Sequence, residues 1–290
     1  MLKVRVLVAV TAFALMFAIV PGSSASAEVN PFPPFVVSGF SNAGGTGFWL
    51  TYYNGSVTGE GTAAHFGDAS GGALNAPIVG GAGQTSNLGY WLVASDGGVF
   101  AYGNARFQGG MGGTRLNQPV VSMADTTTGH GYWLVASDGG IFNFGDAKFY
   151  GSTGNIKLNQ PIIGLTASHS DKGYALVARD GGIFDFGDAK FYGSLPSRGI
   201  TGVTDVVGAA ATPTGKGYWI ARSGGQVYAF GDAKNLGQST ITPCDPVIGV
   251  FSNPKAQGYR LLTLSGATIA FGSAPGGTAP TGTPVPCIAP

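Results

Sequence analysis

Residues 131–152, GYWLVASDGGIFNFGDAKFYGS, are the unit from which this chain is built, because near copies recur with the same spacing and the same turn residues. The copies align on an opening glycine: Gly47, Gly89, Gly131, Gly173, Gly217 and Gly258, at steps of 42, 42, 42, 44 and 41 residues. A period near 40 residues makes each copy one supersecondary unit that buries its apolar faces against its neighbours. From Tyr132 to Ser137 large side chains fall on both faces, which suits a strand packed on both sides, strand B. Asp138, Gly139 and Gly140 tolerate positive φ and reverse the chain into Ile141, Phe142, Asn143 and Phe144, strand C. Gly145, Asp146 and Ala147 turn again into Lys148, Phe149 and Tyr150, strand D, while upstream Pro119 opens Val120 and Val121, strand A. Six such copies predict an all-β chain, a six-bladed β-propeller of four-stranded antiparallel blades. A seven-bladed propeller is the alternative, but it needs a further blade that the residues after Gly272 do not supply.

The other copies vary around this pattern. Strand A begins twelve residues before each opening glycine, at Pro77, Pro119, Pro161, Asp205 and Pro246, where a proline costs no ladder donor. The first blade takes its strand A from residues 35–37 and is degenerate in strand C, where Thr58 and Glu60 replace aromatics. The last blade departs most, with Arg260 where a Trp would stand and Ser273 for the usual turn Asp.

Residues 1–27 place Lys3 and Arg5 ahead of an apolar run that ends in Ala25, Ser26 and Ala27, the pattern of a secretory signal peptide cut before Glu28. Residues 28–290 are then a single propeller domain with a Pro-, Gly- and Thr-rich C-terminal strap over residues 273–290. Removing Lys3 and Arg5 from the 15 basic residues leaves 13 against 14 acidic ones, a balance unsuited to a polyanion, so no nucleic-acid partner is expected. No later segment is apolar for long enough to insert in a membrane, and a secreted monomer, extracellular or associated with a cell wall, is the expectation.

The run quoted above, with GYWLVASDGGVFAYGNARFQGG and GYALVARDGGIFDFGDAKFYGS, resembles a repeat of secreted actinobacterial proteins over about residues 35–275. The resemblance implies an extracellular propeller-like repeat domain and carries no particular activity. More loosely, the architecture is similar to that of propeller lectins, which bind sugars between blades.

Several residue sets carry candidate chemistry. Lys148, Phe149 and Tyr150, and again Lys190, Phe191 and Tyr192, repeat on the expected outer strand, where one aromatic of each pair could stack on a sugar. Arg115, Lys157 and Arg198 fall in the variable connections from strand D to the next strand A, where binding tends to reside on a fixed scaffold. Asp96, Asp138 and Asp180 in the B–C hairpins, and Asp146, Asp188 and Asp232 in the C–D turns, invite a calcium reading. Asp as a turn residue that accepts a backbone N–H two positions on is the better one, so no cofactor is expected. Trp49, Trp91, Trp133 and Trp219 sit on an inner strand and read as packing between blades. Cys244 and Cys287 are an even pair in an exported chain and suggest a disulfide, which would tie the strap across the last blade and is worth about 4 kcal/mol.

Catalysis finds little support. His65, His130 and His169 lie in different copies without a matching nucleophile, and the channel-lining strands read as apolar and small at Val37, Val79, Ile163 and Ile248. Asp185 is the one odd carboxylate in strand C, read as a partner of Arg179 or a local acceptor. The leading function is a non-catalytic, lectin-like module for extracellular or cell-surface carbohydrate. The alternative is a scaffold for a cell-surface protein, and the third reading is a propeller hydrolase or lactonase.

Overall fold

The computed structural model describes residues 31–241 and 244–274. The expected signal peptide and residues 275–290 of the expected strap lie outside them. Blade 1 comprises β1 (Val36–Ser41), β2 (Gly47–Tyr52) and β3 (Val57–Gly61), and blade 2 β4 (Ile78–Gly83), β5 (Gly89–Ala94) and β6 (Val99–Gly103). Blade 3 is built from β7 (Val120–Asp125), β8 (Gly131–Ala136) and β9 (Ile141–Gly145), and blade 4 from β10 (Ile162–Ala167), β11 (Gly173–Ala178) and β12 (Ile183–Gly187). Blade 5 holds β13 (Val206–Ala211), β14 (Gly217–Arg222) and β15 (Val227–Gly231), and blade 6 β16 (Val247–Ser252), β17 (Gly258–Thr263) and β18 (Thr268–Gly272). Each triplet is an antiparallel sheet in chain order.

The middle strands carry the fold. Every residue of β5, β8, β11 and β17 is buried, as the two-sided bulk of strand B requires. The first strand of each blade has a register irregularity near its start, for example between Val120 and Ser122 against β8. There the first residue enters the core, with Ile78, Val120 and Ile162 all fully buried, while the next side chains turn toward the axis.

Among the described residues the core is divided into six apolar clusters that each bridge two neighbouring blades. Trp49, Trp91, Trp133 and Trp219 are fully buried and pack tilted on Tyr90, Tyr132, Tyr174 and Tyr259 of the following blade, with ring centroids 5.2–5.9 Å apart. The ring closes where β1 meets β16, with Val36, Phe48 and Leu50 packed on Phe251 and Leu262. This joint has its own chemistry, since the Arg260 guanidinium lies 4.5 Å over the Phe48 ring where the joints after blades 1, 2, 3 and 5 pair Trp with Tyr.

The expected fourth strand is a correction: among the described residues each blade has three strands, and Lys148, Phe149 and Tyr150 follow blade 3 as an irregular segment. Its backbone groups are satisfied by buried side chains. The Trp133 indole N–H donates to the Lys148 carbonyl at 2.7 Å. Tyr174 of the next blade takes the Tyr150 N–H at 3.1 Å and donates its hydroxyl proton to the Gly151 carbonyl at 2.6 Å. Gly151 itself has φ +137°, and an added Cβ would stand 2.4 Å from Phe186, so close approach to the next blade requires glycine there. The same Trp bond recurs at Trp49, Trp91 and Trp219, and the same Tyr bonds at Tyr90, Tyr132 and Tyr218. What would be strand D is instead a strap held by one ring from its own blade and one from the next.

Candidate functional site: the rim and the channel mouth

The straps decide which rim aromatics face solvent. Tyr150 and Tyr192 are half-buried, stacked edge-on against Tyr174 and Tyr218, and their hydroxyls donate to the carbonyls of Asp171 at 2.9 Å and Gly215 at 3.3 Å. They belong to the joints between blades. Phe149 and Phe191, by contrast, are 56% and 54% exposed, and Phe107 at the matching place in blade 2 is 62% exposed. Each follows an exposed cation, Arg106, Lys148 or Lys190.

Phe149 borders a groove of about 360 Å³ floored by Ile141 and Phe142, with Asn117, Gln118, Asp138 and Asn155 around it. Asn117 and Asn155 are exposed, and Asp138 spends one carboxylate oxygen on the Gly140 N–H at 2.9 Å. Such a groove offers an apolar platform beside amide and carboxylate groups that can donate and accept. Exposed Asn75 and Asn159 and hairpin residues Asp96 and Asp180 stand at the matching positions in blades 2 and 4. Arg115 and Lys157 are exposed in their connections but do not line the groove. Arg198, at the end of a single 3₁₀ turn, stacks 3.8 Å over Phe230 and donates to the Ala229 carbonyl, so it braces blade 5.

The turn carboxylates have protein partners. Asp96, Asp138 and Asp180 each accept the glycine N–H two residues on, at 2.9 Å. Asp146, Asp188 and Asp232 accept pairs of hydroxyl donors from the A–B turn of their own blade, Thr126 with Thr128, Ser168 with Ser170, and Thr212 with Thr214. The two Ser hydroxyls hold Asp188 below the usual carboxylate range. Among the described residues no group of three or more His, Cys, Asp or Glu side chains gathers as a metal site would need.

Asp185 is not a partner of Arg179. It pairs across the sheet with Ala175, where blades 1, 2, 3 and 5 carry Trp, and its Oδ1 is buried without a hydrogen bond. Burial raises its pKa. Asn143, at the same place in blade 3, donates to the Ala147 carbonyl at 2.9 Å, which a carboxylate has no proton to do.

The channel has two unlike halves. One is lined by Val37, Val79, Val121, Ile163, Val207 and Ile248, the apolar wall expected from the strand A sequences. The other opens among the A–B turns as a cavity of about 380 Å³ that includes Asp125, Thr127, His169 and Asp171. Sequence reasoning missed this mouth. The available signal was the last residue of each first strand: Ser41, Gly83, Asp125, Ala167, Ala211 and Ser252, with one carboxylate among them. Burial pushes Asp125 up to about 7. Asp171 sits at φ +58° and clasps the preceding blade by accepting the Thr127 N–H at 2.9 Å, as Asn87 at φ +61° does for the Ala43 N–H at 2.6 Å.

Six three-stranded antiparallel sheets set around a central channel define a β-propeller. The β-propeller domain of Myceliophteria thermophila Cps50 (Swd1) is similar in fold, with a TM-score of 0.54 at 10% sequence identity, over 85% of this chain and 98% of that one. No protein-family model matches the chain, and no curated protein matches it.

Proposed function

We propose that the protein is an exported, non-catalytic module that binds extracellular or cell-surface carbohydrate at its rim. The observation that carries this reading is the succession of exposed Phe107, Phe149 and Phe191 in three consecutive blades, with Asn117, Asn155 and Asp138 lining the groove at Phe149 and an exposed Asn and a hairpin Asp at the matching positions of the other two. A flat aromatic face covers the C–H face of a sugar ring, while amides and carboxylates bind its hydroxyls. Repetition suits a polymer, since linked sites raise avidity without further contacts. Export rests on residues 1–27, and the family resemblance to secreted actinobacterial repeat proteins fits the same setting. A glycan array probed with the full chain and with the Phe107→Ala, Phe149→Ala, Phe191→Ala triple variant tests the reading. Array ligands lost in the variant support it.

A protein scaffold is the second reading, favoured by Ile156, 55% exposed in the connection that also carries Lys157. An empty array together with one captured protein whose binding depends on Ile156 would select it.

A disulfide would belong to the same extracellular setting. Cys244 lies in the turn ahead of β16, and among the described residues no cysteine is free. Its expected partner Cys287 lies outside the described residues, and a Cys244–Cys287 bridge would pin the strap to blade 6.

A further inference from the structure

The mouth among the A–B turns is chemically unlike the rim. Met123 and Asp125 are two residues apart on β7, so their side chains share one face of the strand; Met123 is buried in the core between blades 2 and 3, and both border the cavity. Met123, Leu165 and Val250 border both halves of the channel, Met123 and Leu165 from nearly buried positions. Ser41, Thr85, Thr166 and Ser168 also line the cavity. Among the described residues no Lys or Arg lines the cavity.

Its two carboxylates are not equivalent. Asp171 is committed to the Thr127 N–H and hydroxyl. Among the described residues no other group donates a hydrogen bond to the Asp125 carboxylate, and burial raises its pKa. A carboxylate in a cavity with apolar neighbours, and with no Lys or Arg among the described residues lining it, wants a positive donor from outside. An anion would be repelled, and a neutral alcohol would leave the charge uncompensated. A divalent metal ion would need more ligands than converge here, since no group of three gathers among the described residues. A volume of about 380 Å³ admits a short carbon chain rather than a folded peptide.

We propose that this mouth binds a small alkylammonium compound, its charged head on Asp125 and its carbon chain on Met123, Leu165 and Val250. The site is independent of the rim grooves. Ionisation of Asp125 is required, so affinity rises with pH through about 7. The other titratable groups facing the cavity, Asp171 and His169 of the next blade's turn, bias the trend the same way, because protonating either disfavours a cation.

Calorimetry with n-butylammonium chloride on the full chain, in a buffer without amines, tests the proposal. Saturable one-to-one binding near pH 8.5 is expected, weakened by about tenfold or more near pH 5.5 and in Asp125→Asn. Asp125→Ser, which places at this position the residue of blades 1 and 6, should do the same and guards against a misfolded Asn variant. The Phe149→Ala variant should bind butylammonium like the parent, which separates this site from the rim. Absent binding, equal binding of butyrate or 1-butanol, calcium binding lost in Asp125→Asn, or butylammonium affinity indifferent to both Asp125 variants would each overturn it.

Discussion

Replacing Tyr174 by Phe removes one oxygen from the joint between blades 3 and 4. That oxygen accepts the Tyr150 N–H at 3.1 Å and donates to the Gly151 carbonyl at 2.6 Å, while its ring packs on Trp133, Tyr150 and Phe186. The ring contacts survive the substitution, so the loss is confined to two hydrogen bonds. At about 1 kcal/mol each they sum to about 2 kcal/mol. The Tyr150 N–H and Gly151 carbonyl have no neighbouring strand to turn to, because the strap is not part of a ladder. In a domain of this size about 1 kcal/mol lowers the melting temperature by roughly 2–4 °C, so a fall of roughly 4–8 °C is expected. Thermal unfolding followed by circular dichroism measures it, and hydrogen exchange at the Tyr150 amide localises it. Tyr52→Phe is the control, since that hydroxyl meets only exposed Thr58 at 3.4 Å, and its loss should cost under about 0.5 kcal/mol. A Tyr174→Phe melting temperature equal to that of the parent, with unchanged exchange at Tyr150, would refute the account of the straps as side-chain-clamped latches.

Asp125→Asn should stabilise the fold at pH 8 and leave it unchanged below about pH 4. The folded pKa of about 7 lies above the unfolded value of 3.8, so the native state binds the proton more tightly and stability falls as pH rises between them. Melting curves across that window check the sign, and a variant less stable than the parent at pH 8 would contradict it. Gly151→Ala combines a positive φ with a Cβ 2.4 Å from Phe186 and should cost more than about 2 kcal/mol in urea unfolding. Asp171→Gly should be milder than Asp171→Ala by about 1 kcal/mol, because both lose the clasp to Thr127 but only Ala keeps the strain of φ +58°. Reduction, or Cys287→Ser, should lower the unfolding free energy by up to about 4 kcal/mol and speed proteolysis of the chain's end; no change in either would dismiss the bridge.

The sequence alone determined the blade number, the first three strands of every blade and the hairpins between them. These features are local: a glycine recurring near every 42 residues, apolar bulk on both faces of each middle strand, and Asp–Gly turns whose hydrogen bonds close within two residues. The burial of Trp49, Trp91, Trp133 and Trp219 was legible for the same reason, since an inner strand is covered wherever the ring closes. Tertiary structure decided the rest. Whether Lys148, Phe149 and Tyr150 form a strand depends on where Trp133 and Tyr174 send their polar atoms, and Tyr174 belongs to another blade. Alternation places Phe149 and Tyr150 on opposite sides, but only the neighbouring blade covers one and leaves the other in water. Asp125 and Asp171 stand 46 residues apart in the sequence and face one cavity because consecutive first strands converge on the axis. The Arg260–Phe48 joint exists only because the first and last blades meet. A turn is fixed by its own torsions, whereas a channel mouth or a strap is fixed by which distant side chains ring closure brings within hydrogen-bonding reach.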